Sequence, residues 1–215
     1  YSFNAYLRHR FGCRVHRLSL DAGLSCPNID GTCGRDGCVF CNNRAFNRSA
    51  GLAVPLASQI ERAMDFARRR YGAHKFIAYF QTFSSTYAPT EELRKIYDSI
   101  RGYPDIVGLA VSTRPDCVDN EKLDLLASYR PDYEVYLEYG VQSVHDRTLA
   151  LVNRGHTFAC AKSAIIAAVA KGLRVAAHVI LGLPGESVDD MHATAVTLAD
   201  LPLWGIKFHV LHVLR

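Results

Sequence analysis

The chain has 215 residues, 49% of them hydrophobic, and a formal net charge of +4. Such a length and apolar content can bury one full core, and the absence of any run of about 18 apolar residues excludes a transmembrane helix. The mild positive charge permits an anionic partner without requiring one.

No secretory signal pattern opens the sequence. Seven cysteines, an odd number, fit a reducing compartment better than a disulfide framework. The expected location is therefore cytoplasmic, with no membrane partner. The chain starts at Tyr1 rather than Met and stops at Arg215 on an apolar run. The expectation is a single domain over 1–215, a segment of a longer protein whose C-terminal extension is missing.

In chain order, residues 3–11 predict a helix with Phe3, Leu7 and Phe11 on one face and Gly12 at its end. Arg8, Arg10, Arg14 and Arg17 crowd this region. They suit either a nucleic-acid-facing patch or the solvated end of an amphipathic helix. Residues 15–20 alternate like a strand, and a cysteine-rich loop follows over 25–43. Helices are then predicted at 56–71, 90–101 (capped by Thr90), 119–129 (capped by Asp119), 158–171 (closed by Gly172) and 187–201. Strands are predicted at 75–80, 105–112, 133–139, 173–181 and 206–213. Six strands alternating with helices mean βαβ units and a parallel sheet. No G-x-G-x-x-G follows the first strand, so the dinucleotide-binding fingerprint is missing.

The loop reads SCPNIDGTCGRDGCVFCNN and holds Cys26, Cys33, Cys38 and Cys41. Cys38 and Cys41 form a C-x-x-C pair, and a Gly- and Asp-rich insert could fold Cys26 back beside it. Clustered thiolates in a turn-rich loop hold zinc or an iron–sulfur cluster. A closed zinc site usually has a second pair or added histidines. Here His16 and His74 are the nearest histidines in sequence, and neither stands in a knuckle pattern.

The aromatic Phe40 directly before Cys41 makes a C…C-x-Φ-C triplet. This resembles the cluster loop of radical S-adenosylmethionine (SAM) enzymes, and in particular the elongator catalytic subunit and its bacterial relatives, which lengthen the first gap. The resemblance implies a 4Fe–4S cluster on Cys26, Cys38 and Cys41, with the fourth iron open to SAM. It makes Cys33 a bystander, although the spacing alone leaves a fourth ligand open. It also implies an open (βα)6 three-quarter barrel, with its chemistry at the C-terminal ends of the strands.

Further segments of this resemblance fall at successive strand ends. After the second strand, Gln81 opens Q-T-F-S-S-T-Y, where relatives bind the methionyl amine; an ordinary βα loop is the other reading. After the third comes S-T-R-P-D, with Thr113 beside the cofactor and Arg114 suited to a carboxylate, a phosphate or a loop salt bridge. After the fourth come G-V-Q-S and N-R-G-H, which are also similar to oxygen-independent coproporphyrinogen oxidases. They imply Gln142 on the SAM ribose and Arg154 on its carboxylate. After the fifth, G-L-P-G-E resembles the segment whose backbone lies along adenine, which implies Gly182 and Leu183, with Phe40, at the cofactor; His178 just before it is either a cofactor residue near the ribose or a satisfied core histidine. In the last strand, His209 and His212 face opposite sides, and His209 is the candidate to line the barrel. That strand is apolar on both faces, and such an edge invites pairing with another chain.

The implied activity is reductive cleavage of SAM and hydrogen abstraction by a 5′-deoxyadenosyl radical. The electron would come from an external donor such as flavodoxin or ferredoxin. The substrate is unidentified; tRNA or another RNA enters because the elongator branch modifies wobble uridine with a further domain that this chain lacks. The alternative is a non-catalytic zinc- or iron–sulfur-binding RNA-interaction module.

Overall fold

Ser2 accepts a hydrogen bond from the Ala5 amide (3.2 Å) and opens helix α1, Phe3–Phe11. Gly12 then turns left-handed (φ 67°) and ends it. In the computed structural model, which describes residues 1–42 and 54–211, the remaining elements follow the sequence alternation. They are β1 (Val15–Leu20), α2 (Leu56–Tyr71), β2 (Lys75–Phe80), α3 (Thr90–Asp98), β3 (Ile106–Thr113) and α4 (Asn120–Ser128). Then come β4 (Glu134–Gln142), α5 (Asp146–Leu151), α6 (Phe158–Ala170), β5 (Arg174–Leu181), α7 (Val188–Ala199) and β6 (Gly205–Val210).

All six strands are parallel and lie in chain order, β1 to β6, in one sheet. The sheet curls into the open six-unit barrel expected. Its outer face carries the main core, with Phe80, Leu109, Leu137 and Val175 packed under helix residues such as Ile60, Leu93, Leu126 and Ile165. Its inner face is floored at the N-terminal end, where Phe3, Tyr6, Leu7 and Phe11 of α1 meet Val15, Ile77, Ala110 and Tyr136. The apolar face read from the sequence of α1 thus plugs the barrel bottom.

Some boundaries moved for local reasons. Thr90 is buried as the first residue of α3 and makes no cap; Pro89 stands at the cap position. That helix stops at Asp98, after which Ile100 and Arg101 donate to the carbonyls of Tyr97 and Asp98 in tight turns. β4 continues through Gln142 with a bulge at Gly140/Gln142, so the G-V-Q segment is strand rather than loop. Helix α5 was not expected, because six residues give too short a period to read. Asp119 caps α4 as predicted, and Ser187 with Asp190 forms a full capping box on α7. In β6, described to Val210 with Leu211 beyond, the expected positions 212 and 213 lie outside the described residues. Arg17 leaves the supposed basic patch and turns into the barrel, 3.1 Å from Glu138 Oε1.

Candidate active site

The cysteine loop folds back on itself through backbone bonds. Ile29 and Asp30 amides donate to the Cys26 carbonyl (2.9 and 3.1 Å), Cys33 and Gly34 amides to that of Pro27 (2.7 and 3.1 Å), and Gly37 to Asn28 (2.8 Å). The Cys41 amide donates to the Cys38 carbonyl at 2.9 Å, closing the pair as a turn. Cys26 and Cys38 are buried, Cys33 and Cys41 exposed, and no cysteine is in a disulfide. Among the described residues no three His, Cys, Asp or Glu side chains are gathered tightly enough for a single metal ion. A four-iron cube asks less of the loop, because each thiolate takes its own iron.

The N-R-G segment clamps this loop. Asn153, at φ 52°, sends Nδ2 to the Gly37 carbonyl (2.7 Å), and the Val39 amide reaches the Val152 carbonyl (3.1 Å). Asn28 Nδ2 is shared between the Asn153 carbonyl (2.5 Å) and Cys38 Sγ (3.5 Å). Arg154 Nη1 also lies 3.5 Å from Cys38 Sγ, while its Nε and Nη2 bond the Gly140 carbonyl (3.2 and 2.6 Å). Gly140 allows this approach, since a Cβ there would stand 2.6 Å from Arg154 Nη2 and 2.8 Å from Gln142 Nε2. The guanidinium of Arg154 and the amide of Gln142 therefore sit side by side over one glycine. Gln142 is buried at φ 74°, and its Oε1 has no hydrogen-bond partner among the described residues.

Arg114 turns out to be a strut. It forks onto Asp116 (2.9 and 2.6 Å) and donates to the Arg154 carbonyl (2.8 Å). Burial opposes its charge, but Asp116 outweighs that and holds the guanidinium firmly protonated. Thr113 faces the helix side, where its hydroxyl meets Thr86 Oγ1 at 2.7 Å, so the structure does not bring it to the site. Gln81 follows β2 on the inward parity of Ile77 and Tyr79, and its loop leans on the cysteine loop through Ser84 N to Ser25 O (3.3 Å). Thr32 and Tyr87 hydroxyls join the same two loops at 2.8 Å.

Phe40 and Leu183, expected at the cofactor, come together in one apolar group with Val152, Ile180 and Leu211. Gly182 has φ 80° and open space above it. Ser143 and Glu186 hydrogen-bond, tying G-V-Q-S to G-L-P-G-E. Below lies a polar layer that the motifs did not reveal. Glu138 Oε2 accepts from Tyr79 OH and His178 Nε2 (2.7 Å each), with Lys207 Nζ at 3.5 Å. His178 Nδ1 meets His209 Nε2 at 3.2 Å. Burial favours a neutral acid at Glu138, but the His178 bond, with Lys207 and Arg17 nearby, outweighs it and keeps the carboxylate ionised. Burial in turn keeps His178 neutral and pushes His209 down to about 4. Both ring nitrogens of His178 are thus taken by protein, which leaves it no free nitrogen to hydrogen-bond a cofactor. An acid at an inward position of β4 was the signal available for Glu138.

The fold and these segments agree with comparisons to known proteins. The family described as the radical SAM superfamily matches residues 29–198, which takes in Cys38 and Cys41 and begins just after Cys26. Protein YhcC of Escherichia coli K12 is 42% identical over 214 residues, 99% of this chain and 68% of its own length. The uncharacterized protein YtqA of Bacillus subtilis is 39% identical over 216 residues, 100% of this chain and 67% of its own. Among solved structures, coproporphyrinogen III oxidase (HemN) of Escherichia coli, a radical SAM enzyme, superposes with a TM-score of 0.62. It covers 100% of this chain and 48% of HemN at 16% identity, a likeness of fold alone. By the family match and the two relatives that cover nearly all of this chain, the chain belongs to the radical SAM superfamily.

Proposed function

We propose that Cys26, Cys38 and Cys41 ligate three irons of a 4Fe–4S cluster, and that Gln142, Arg154, Gly182, Leu183 and Phe40 receive SAM beside it. The observation that carries this reading is the orphaned Oε1 of Gln142, a buried acceptor next to a guanidinium that touches Cys38. A buried unpaired amide oxygen costs about 1–3 kcal/mol, and a ribose hydroxyl is the partner that would satisfy it. Three of the five Arg154 N–H groups are used within the protein, leaving two for a carboxylate. When bound, the cluster and SAM supply one-electron reductive cleavage and a 5′-deoxyadenosyl radical that takes a hydrogen atom from substrate. Phe40, Val152, Ile180 and Leu183 exclude water from that space. Gln81 lies on the same inward side and completes the rim. The electron comes from an external flavodoxin- or ferredoxin-type donor. The likeness of G-V-Q-S and N-R-G-H to the elongator branch supports RNA as the substrate class.

The test is anaerobic purification with visible spectroscopy and iron and sulfide analysis. A brown protein with near-stoichiometric iron and sulfide that bleaches on dithionite supports the reading. A colourless protein holding one zinc would replace it with the non-catalytic module.

A further inference from the structure

The inner face of β6 climbs in steps of two residues from Lys207 to His209 to Leu211, a rise of about 7 Å per step. Lys207 belongs to the Glu138 layer, and Leu211 packs with Phe40 of the cysteine pair. His209 therefore sits one layer beneath the cysteine loop, half-buried, on the lumen side of the barrel. Its Nε2 meets His178 Nδ1 at 3.2 Å, and no partner for its Nδ1 is found among the described residues.

The hydrogen bonds fix which nitrogens carry protons. An ionised Glu138 can only accept, so His178 must donate from Nε2. A neutral imidazole that donates from one nitrogen accepts at the other, so His178 Nδ1 is bare and His209 must donate to it from Nε2. A neutral His209 is then left with a bare Nδ1. The charged and titratable groups around the two rings pull both ways: Glu138 favours a proton on either ring, and burial, the largest influence, outweighs it together with Arg17 and Lys207. Arg17 from β1 and Lys207 from β6 hold Glu138 as an anion and disfavour a proton on either ring; Tyr79 from β2 donates to Glu138 as well.

We propose that His209 is a substrate-binding residue that presents a fixed hydrogen-bond acceptor, Nδ1, to the barrel lumen, with His178 and Glu138 as the positioning residues that set its tautomer. The ligand group it takes is an uncharged donor, a hydroxyl or an amine or amide N–H on the substrate. The cations Arg17 and Lys207 turn away substrates that would present an ammonium there. This rests on the proposed radical SAM site only for what occupies the lumen; the tautomer chain stands apart from it.

The test is long-range ¹H–¹⁵N correlation NMR on the anaerobically purified chain labelled in its histidine rings, at neutral pH. His178 and His209 are expected as Nε2–H tautomers, each with a pyridine-like Nδ1. A Nδ1–H tautomer at His209 overturns the proposal. In Glu138→Ala the acceptor for His178 Nε2–H is gone, so the two rings are expected to lose their single tautomer, and His209 Nδ1 should shift from pyridine-like towards an average of the two forms. Rings that keep their wild-type tautomers unmixed in that variant overturn the positioning role of Glu138. Should that variant fail to fold, the wild-type spectrum still decides. Loss of the cluster with the tautomers intact would count against the radical SAM site and not against this chain of bonds.

Discussion

Arg154 reaches back 116 residues to place Nη1 3.5 Å from the sulfur of Cys38. A residue expected only at the cofactor's carboxylate is therefore also a donor to a proposed iron ligand. Asn28 supplies a second N–H to the same sulfur at the same distance. Hydrogen bonds to ligand sulfurs stabilise the more negative, reduced cluster and raise its potential.

Asn28→Ala should retain iron but shift the cluster potential to a more negative value, measured by a redox titration followed by electron paramagnetic resonance. The variant should also lose stability by roughly 1–3 kcal/mol, because the Asn153 carbonyl loses its partner. An unchanged potential would show that the contact does not reach the cluster.

Changing Cys26, Cys38 or Cys41 to Ala should each abolish iron retention, whereas Cys33→Ala should leave it nearly whole. Cys33 is exposed, and its amide already serves the fold of the insert. Equal iron loss in Cys33→Ala and Cys38→Ala would make Cys33 a ligand.

Gln142→Ala should weaken SAM binding by about 0.5–1.5 kcal/mol, roughly two- to tenfold in Kd, with iron content intact. Calorimetry on the reconstituted protein measures it. Because Oε1 has no partner among the described residues, the same change should leave thermal stability unchanged or higher, and unchanged SAM affinity would remove Gln142 from the site.

Acid should destabilise the protein before its carboxylates titrate. Burial lowers His209 and His156 to about 4, while unfolded histidine titrates near 6.5. Between those values the unfolded chain binds more protons, so stability is complete above about pH 6.5 and is lost as pH falls through about 4. Tm followed by circular dichroism should fall over this window, and the double variant His156→Asn/His209→Asn should fall less. A Tm that stays flat in the wild type down to about pH 4 would contradict the buried neutral state.

The strand alternation made most of the fold readable, since a parallel sheet buried on both faces leaves strong apolar runs such as KFIAYF. The Asp119 cap was legible from its own side-chain oxygen, whereas Ser187 was read as the first residue of its helix and proved to be the cap. What escaped depends on contacts across the chain. Glu138 looks unremarkable in YEVYLEY until Arg17, Tyr79, His178 and Lys207 converge on it from four other strands. Asn28 is one polar residue in a polar loop until Asn153 and Cys38 meet it. Thr113 was misplaced because motif position fixes the strand end and not which face the side chain takes.

The most direct measurement is 5′-deoxyadenosine formed from SAM by the reconstituted, dithionite-reduced protein, with Cys38→Ala beside it. The expected result is steady production by the wild type and none above background by the variant. Iron-loaded wild-type protein that binds SAM and yields no 5′-deoxyadenosine would contradict the proposed function.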